Sequence, residues 1–158
     1  MPGIEIFLDS SALIAGIISS HGAARALMLL AEDKRVTLIV SEQVVAEVER
    51  NLARKAPKAL PYSREMIRLA NIRIVPDPEK AEITRHLDWI SHPADVPILV
   101  AAAHARVGYL ATLNTRHFID DPQVTHRSGL RIGTPGDALA WARSSLSQGE
   151  AGGPTPPG

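Results

Sequence analysis

The chain contains no cysteine and carries no net charge, since 17 basic residues balance 17 acidic residues over its 158 positions. Without cysteine it has no disulfide framework, no thiolate metal site and no cysteine nucleophile. The balanced charge removes the simplest argument for nucleic-acid binding, which is a strongly basic surface that releases counterions from a phosphate backbone. Any such function must therefore come from local charge or from a metal site.

The chain also lacks a long apolar run. No segment reaches the roughly 18 consecutive apolar residues of a membrane span, and residues 1–9 lack the basic region that begins a signal peptide. We therefore expect a cytoplasmic protein that does not enter a membrane. Residues 149–158 (GEAGGPTPPG) are mostly glycine and proline and predict a flexible tail. Residues 1–148 are then expected to form a single domain, long enough to bury a hydrophobic core.

Short apolar segments typical of β-strands alternate with helical segments along this domain. The first predicted strand ends at Asp9, and the others cover residues 36–40, 72–75, 109–112 and 130–132. The predicted helices cover residues 10–18, 21–33, 42–55, 63–70, 79–90 and 135–145. A further long apolar helix starts between Pro93 and Pro97 and reaches Val107, and a turn is predicted at residues 114–118. This alternation predicts parallel crossovers, and hence a three-layer α/β/α domain with a central parallel sheet of four to five strands.

In such a fold the carboxyl ends of the strands meet at one edge of the sheet, where ligands bind. Asp9 follows the first strand, Glu47 lies early in the helix after the second, Asp95 lies at the start of the long apolar helix, and Asn114 follows the fourth strand. Three converging carboxylates raise one another's pKa unless a cation neutralises them, and carboxylates with water suit Mg²⁺. Such an ion activates water and stabilises charge at phosphorus, so the pattern favours phosphodiester hydrolysis.

Each of these residues also has a simpler structural interpretation. Asp9 and Asp95 both stand where helix N-caps stand, and an oxygen that caps a helix is not easily shared with a metal. Glu47 fits an exposed helix residue paired with Arg50, three positions further on. Asn114 is a common turn former. The metal site is favoured because all four residues are expected to meet at one edge.

Other kinds of active site lack their characteristic residues in this sequence. No glycine-rich dinucleotide loop follows the first strand, and the chain has no P-loop and no GxSxG nucleophile elbow. His86, His92, His104 and His126 show no paired ligand spacing, so a zinc site is not expected. A small phosphatase with Asp9 as its nucleophile stays open, although no second aspartate stands two residues after it.

Four segments resemble the four motifs of PIN-domain ribonucleases, and the VapC-like toxin branch is closest in size. They are residues 6–14 (IFLDSSALI), 44–48 (VVAEV), 95–103 (DVPILVAAA) and 110–118 (LATLNTRHF). The resemblance spans residues 4–143 and implies a Mg²⁺- or Mn²⁺-dependent endoribonuclease that hydrolyses RNA phosphodiester bonds. Toxins of this branch pair with a small antitoxin protein and often form homodimers, so we expect both kinds of partner.

By this resemblance Asp9, Glu47 and Asp95 form the acidic metal site, and Thr112 and Asn114 act at the fourth motif. The family commonly has an acidic residue at or near this last motif, where Asn114 and His117 stand here. An amide binds metal or orients water without adding negative charge, so a second metal site is expected to be weak or absent. This departure leaves an alternative open, namely a catalytically weak or inactive PIN-like module that binds RNA or a protein partner.

The basic residues gather in one part of the chain. From Arg50 to Arg73 seven basic residues oppose one acidic residue, which leaves an excess of six positive charges. This segment predicts contact with an RNA backbone through Arg50 and Arg54, and its alternative interpretation is a pair of solvated helix faces. Arg116 and His117 follow the fourth strand and are also expected to bind RNA. With two Trp, two Tyr and two Phe in all, no base-stacking platform is expected.

Overall fold

The computed structural model describes residues 3–151, with side chains to residue 149, and builds a five-stranded sheet. Its strands are β1 (Glu5–Leu8), β2 (Thr37–Ser41), β3 (Arg73–Val75), β4 (Tyr109–Ala111) and β5 (Ile132–Gly133). They lie in the order β3-β2-β1-β4-β5, and every neighbouring pair is parallel. Parallel neighbours need crossover connections, so helices flank the sheet. The predicted three-layer α/β/α fold is confirmed.

Nine helices of the described chain connect and cover these strands. They are α1 (Ser10–Ile18), α2 (Ala23–Glu32), α3 (Glu42–Lys55), α4 (Leu60–Leu69), α5 (Lys80–Arg85), α6 (Val96–His104), α7 (Thr115–Phe118), α8 (Pro122–Ser128) and α9 (Pro135–Ala151). Short 3₁₀ turns at Pro57–Ala59 and Pro93–Asp95 lead into α4 and α6. Each turn begins with proline, whose fixed φ and missing N–H suit the first position of a helical turn.

The core lies where β1, β2 and β4 meet α1, α3 and α6. Ile6, Phe7 and Leu8 of β1 are completely buried, so this strand is covered on both faces. In α6 the buried residues run almost without a break, because that helix is enclosed by the rest of the fold. The central position of β1 places the residue that follows it, Asp9, in the middle of the sheet edge.

Where the structure departs from the predicted helices, local packing explains the difference. The helix predicted over residues 79–90 ends at Arg85, because the chain turns there to stack Trp89 on His86 at 4.0 Å and to bury Ile90. The helix α8 was not predicted, although its signals are in the sequence. Asp121 caps it by accepting a hydrogen bond from Gln123 N at 3.0 Å, and it ends at a glycine in the left-handed region.

The last helix runs six residues beyond its predicted end, to Ala151. The segment that was predicted as the start of the tail has no proline before Pro154, so nothing in it forces the helix to stop at Ser145. Residues 152–158 of the predicted tail lie outside the described residues, and the domain boundary at residue 148 stays a prediction. Within the described chain no single helix has the length and apolar character to cross a bilayer, although α1 and α2 together, bent by 84°, meet those two criteria.

Candidate active site

The sheet register brings Asp9 and Thr112 together at the carboxyl edge. Leu8 of β1 is paired with Ala111 of β4, so the residues that follow them stand side by side. Asp9 is 3% exposed and Thr112 is fully buried. Two residues 103 positions apart in the sequence therefore meet because parallel strands end at the same edge.

Three groups donate hydrogen bonds to the carboxylate of Asp9. Ala12 N donates to Oδ1 at 2.9 Å and Ser11 Oγ donates to Oδ1 at 2.7 Å, while the hydroxyl of Thr112 donates to Oδ2. The bond from Ala12 N caps α1, so the simpler interpretation of Asp9 as an N-cap is right. The cap occupies Oδ1 and leaves Oδ2 with one donor, which means that capping and ligand binding use different oxygens.

The environment of Asp9 disfavours its ionised form. Burial raises the pKa of the Asp9 carboxyl above its usual value, because the charged group loses its water. Hydrogen bonds from Ser11, Thr112 and Ala12 N lower this pKa in part, and the negative charge of Asp95 raises it again. Asp9 and Asp95 are thus close enough to repel each other, and a cation beside both would favour the ionised form of Asp9.

Asp95 stands before α6 and does not cap it. Its side chain makes no capping hydrogen bond, so the simpler interpretation of this residue as an N-cap is wrong. Its Oδ2 instead lies 2.9 Å from Nδ1 of His117, in a part-buried pair. Because a carboxylate accepts and does not donate, the Nδ1 of His117 carries the proton of this bond.

The fourth motif folds into α7, where a turn had been predicted. Asn114 caps this short helix, with its Oδ1 accepting from His117 N at 3.4 Å, and its own N–H donates to the hydroxyl of Thr112 at 2.9 Å. The side-chain amide of Asn114 also lies 2.9 Å from Nδ1 of His117. Thr112, Asn114 and His117 therefore form one chain of contacts that links Asp9 to Asp95.

Glu47 lies on α3 at the other side of this edge. Its Oε1 accepts from Nε2 of Gln43 at 2.8 Å, and the same Nε2 donates to the carbonyl of Ala94 at 3.1 Å. Gln43 thus connects Glu47 to the residue before Asp95. The structure gives Glu47 no ion pair with Arg50 in the described chain, so the paired interpretation is not realised.

The carboxylates share an edge but do not close around one point. Among the residues that the structure describes, no three His, Asp or Glu side chains are arranged to hold a metal ion together. Asp9 and Asp95 are coupled through their charges, while Glu47 is connected through Gln43 and Ala94. The roles predicted for Asp9, Glu47 and Asp95 as metal ligands, and for Thr112 and Asn114 as catalytic residues, stay predictions.

Three of the seven basic residues between positions 50 and 73 are paired with acids. Arg64 contacts Glu49 at 3.1 Å, Arg68 contacts Glu65, and Arg73 contacts Glu5 at 3.9 Å. These pairs reduce the local excess of positive charge on that surface.

Arg50 and Arg54 are different, because they line one shallow pocket on α3 together with Glu47 and Asn51. This pocket joins the candidate RNA contacts to one of the predicted acids. Arg116 is exposed on α7, directly beside His117.

Three residues make contacts at this edge that the sequence analysis did not predict. Ser11 donates to Asp9 and accepts from Leu113 N at 2.9 Å, so it ties α1 to the segment after β4. Gln43 stands four positions before Glu47, a spacing that predicts contact on a helix and could have identified it. His92 stacks on His117 with ring centroids 3.5 Å apart, a contact between distant segments that the sequence does not reveal.

Residues 5–116 match the PIN domain family. The match covers more than half of the chain, so the chain belongs to the PIN domain family, and the predicted membership is confirmed. PIN domains are generally nucleases, which hydrolyse phosphodiester bonds. A search of curated proteins gave no significant match.

Two solved structures share the fold at low sequence identity. PAE2754 from Pyrobaculum aerophilum has a TM-score of 0.59 and 16% identity, over 89% of this chain and 96% of that one. VapBC2 from Rickettsia felis, solved bound to a DNA fragment from its promoter, has a TM-score of 0.59 and 20% identity, over 83% of this chain and 98% of the matched one. At these identities the likeness shows the fold alone.

Proposed function

We propose that this PIN-domain protein is a metal-dependent endoribonuclease that hydrolyses RNA phosphodiester bonds. The observation that carries the proposal is the buried carboxylate of Asp9, which stands at the end of the central strand with its pKa raised by burial and by the charge of Asp95. A fold that keeps two repelling carboxylates at its ligand-binding edge is stabilised by a cation there.

The donor atoms at this edge suit Mg²⁺ or Mn²⁺. A carboxylate oxygen has two lone pairs, so Asp9 Oδ2, with one donor, keeps one available. Asp95 uses Oδ2 for His117 and has no partner assigned to Oδ1 in the described chain. Hard divalent ions prefer such oxygens, and Mg²⁺ is usually held by one or two carboxylates, water and substrate phosphate. Asp9 and Asp95 would thus hold the ion.

The residues around this pair have separable tasks. A bound divalent ion supplies activation of water and stabilisation of the charge that develops on the phosphoryl group. Glu47, held by Gln43, would complete the ligand set or orient the attacking water. Thr112 fixes the orientation of the Asp9 carboxylate, and Asn114 holds Thr112 through its backbone N–H.

Arg50 and Arg54 are proposed to guide the RNA backbone towards this edge. They line a pocket with Glu47, so a phosphate bound between their guanidinium groups lies next to the candidate active site. Arg116 and His117 are proposed as further RNA contacts, since they follow β4 at the same edge.

We also propose that the protein is a VapC-like toxin, controlled by a small antitoxin and assembled as a homodimer in the cytoplasm. The structural likeness to VapBC2, over 98% of the matched chain, supports this assignment. Co-expression with the product of a short neighbouring reading frame tests it. A toxin is expected to stop growth alone and to lose its activity in a stable complex with that product.

Two observations favour a second function, an inactive PIN module that binds RNA or a protein. The described residues form no three-acid cluster, and an amide occupies the fourth motif at Asn114. Titration of Mg²⁺ and Mn²⁺ into reactions with several single-stranded RNAs separates the two functions. The nuclease is expected to cleave internally only with metal and to stop when EDTA is added. Metal-independent binding without turnover would favour the inactive module and contradict the proposed nuclease.

The phosphatase alternative loses support from the same geometry. The Asp9 carboxylate is 3% exposed, and both of its oxygens accept hydrogen bonds. A nucleophile has to reach the phosphorus atom of its substrate, so a buried and fully oriented carboxylate suits a ligand better.

A further inference from the structure

We propose that His92 is a base-stacking platform, which holds one unpaired nucleobase of the RNA substrate beside the candidate active site. The inference rests on the proposed nuclease function and adds a contact that selects single-stranded RNA. The stacking surface is a histidine ring, although the few Trp, Tyr and Phe residues predicted no such platform. Histidine is among the aromatic side chains on which unstacked bases pack in RNA-binding proteins.

The platform begins with a fixed imidazole ring. His117 is part-buried, with its Nδ1 donating to Asp95 Oδ2 at 2.9 Å and its backbone N–H donating to Asn114 Oδ1 at 3.4 Å. The His92 ring lies on it with a centroid distance of 3.5 Å and an angle of 23° between the planes. The position of His92 is therefore set by a ring that is itself anchored to the candidate active site.

The side chain of His92 is accessible and has no polar partner in the described chain. His92 is exposed, and the structure assigns its side chain no hydrogen bond or ion pair within the described residues. His117 covers one face of the ring, and within the described residues no second aromatic ring is stacked on His92, so a base would pack on the opposite face. By contrast, the Nε2 atoms of His86 and His104 lie 3.9 Å and 3.3 Å from Oε2 of Glu82.

The location indicates which part of the RNA reaches this ring. The backbone N–H of Asp95 donates to the carbonyl of His92 at 3.0 Å, so the platform and the candidate metal ligand belong to one tight turn. In the proposed function the scissile phosphate lies at the ion that Asp9 and Asp95 would hold, so the group that reaches the neighbouring His92 ring is a base beside that phosphate. A base on His92 belongs to a nucleotide next to the scissile phosphate, and it must be unpaired because a base within a duplex has no free face.

The test uses short single-stranded oligoribonucleotides with 2-aminopurine at one position, whose fluorescence is quenched when the base stacks. Binding is measured without divalent metal, so that cleavage does not interfere. The variants are His92→Ala, His92→Phe and, as a matched control, His126→Ala, which removes another exposed histidine, on α8. We expect quenching at one position with the wild type, loss of quenching and about ten-fold weaker binding with His92→Ala, and retention of both with His92→Phe. The control is expected to match the wild type.

Unchanged quenching and affinity in His92→Ala would overturn the platform, and so would the absence of quenching at every position with the wild type. Circular dichroism checks that His92→Ala stays folded, as expected for an exposed side chain. The two proposals fail separately. Quenching that depends on His92, without any cleavage in Mg²⁺ or Mn²⁺, would contradict the nuclease and support the platform. Cleavage in Mg²⁺ or Mn²⁺, with RNA binding unaffected by His92→Ala, would support the nuclease and contradict the platform.

Discussion

Replacing Asp9 by asparagine separates the chemistry of the buried carboxylate from its structural role. Asparagine is as good an N-cap as aspartate, and its oxygen can still accept from Ser11 and Ala12 N. Its NH₂ group faces the hydroxyl of Thr112, which can accept a hydrogen bond. At acidic pH, where Asp9 is itself protonated and asparagine has the same shape and charge, the folding free energy is therefore expected to change by no more than about 1 kcal/mol, or about 2–4 °C in Tm for a domain of this size.

The loss of activity should be far larger than the change in stability. Asp9→Asn removes the negative charge that would bind the divalent ion and leaves Asp95 as the sole carboxylate of the pair. Changes to residues that merely support metal ligands cost about 10- to 100-fold in metal affinity or activity, so loss of a ligand is expected to exceed about 100-fold.

The pH dependence of stability gives a second, independent readout. The pKa of Asp9 is raised in the folded state, so between the unfolded and folded pKa values the folded chain holds a proton that the unfolded chain has lost. Stability of the wild type must fall as pH rises through this window, and the destabilisation is complete above the folded value. Asp9→Asn has no carboxyl at this position and loses this contribution, so its stability relative to the wild type should increase with pH.

Three measurements on each protein complete the experiment. They are cleavage of a single-stranded RNA in Mg²⁺, thermal unfolding from acidic to neutral pH, and the increase in Tm on adding Mg²⁺, which reports binding to the folded state. Asp33→Asn is a matched control, since Asp33 is exposed before β2 at the opposite end of the sheet. If Asp9→Asn cleaves as fast as the wild type, or gains as much Tm from Mg²⁺, Asp9 is not the metal ligand.

Three further expectations follow from the same structure. Replacing both Arg50 and Arg54 by alanine should weaken RNA binding and reduce the slope of log affinity against log salt by about 1.4, because two phosphate contacts are lost. Arg64 is paired with Glu49, so the control variant Arg64→Ala should leave the slope unchanged. An unchanged slope in the double variant would place the RNA elsewhere. Phe7→Ala should cost about 3–5 kcal/mol in urea unfolding, because this side chain is completely buried in the central strand; a cost below about 1 kcal/mol would contradict that packing. Calorimetry with Mn²⁺ should give one ion per chain, and two equivalent ions would contradict the role given to the amide in the fourth motif.

Much of the fold follows from local patterns in the sequence. The helix α3 begins and ends as predicted, because Ser41 gives a strong capping signal and its Oγ accepts from Val44 N at 3.3 Å. The end of the helix at Arg85 was not predicted, because the composition of residues 86–90 (HLDWI) suits a helix. The chain turns there instead, and Ile90 is buried in the core. Tertiary packing decides such cases, and a single sequence does not show it.

The sequence was more informative about where the site lies than about how its side chains are used. The edge that unites Asp9, Asp95 and Asn114 follows from the parallel topology, which strand and helix alternation predicts. The pairing of Asp95 with His117 depends on the rotamers and turn geometry of two distant segments. It replaced the helix cap that the position of Asp95 suggested.

The apparent conflict between capping and metal binding at Asp9 disappears when its two oxygens are considered separately. Oδ1 accepts from Ala12 N and Ser11, which occupies both of its lone pairs, so this oxygen is committed to the fold. Oδ2 accepts from Thr112 and keeps one lone pair, and Thr112 is itself held by the backbone of Asn114. The cap fixes where the carboxylate stands and the fourth motif fixes how its second oxygen is turned. A buried carboxylate oriented from both sides can bind an ion with little further loss of conformational entropy, which is the property that a metal ligand at a strand end requires.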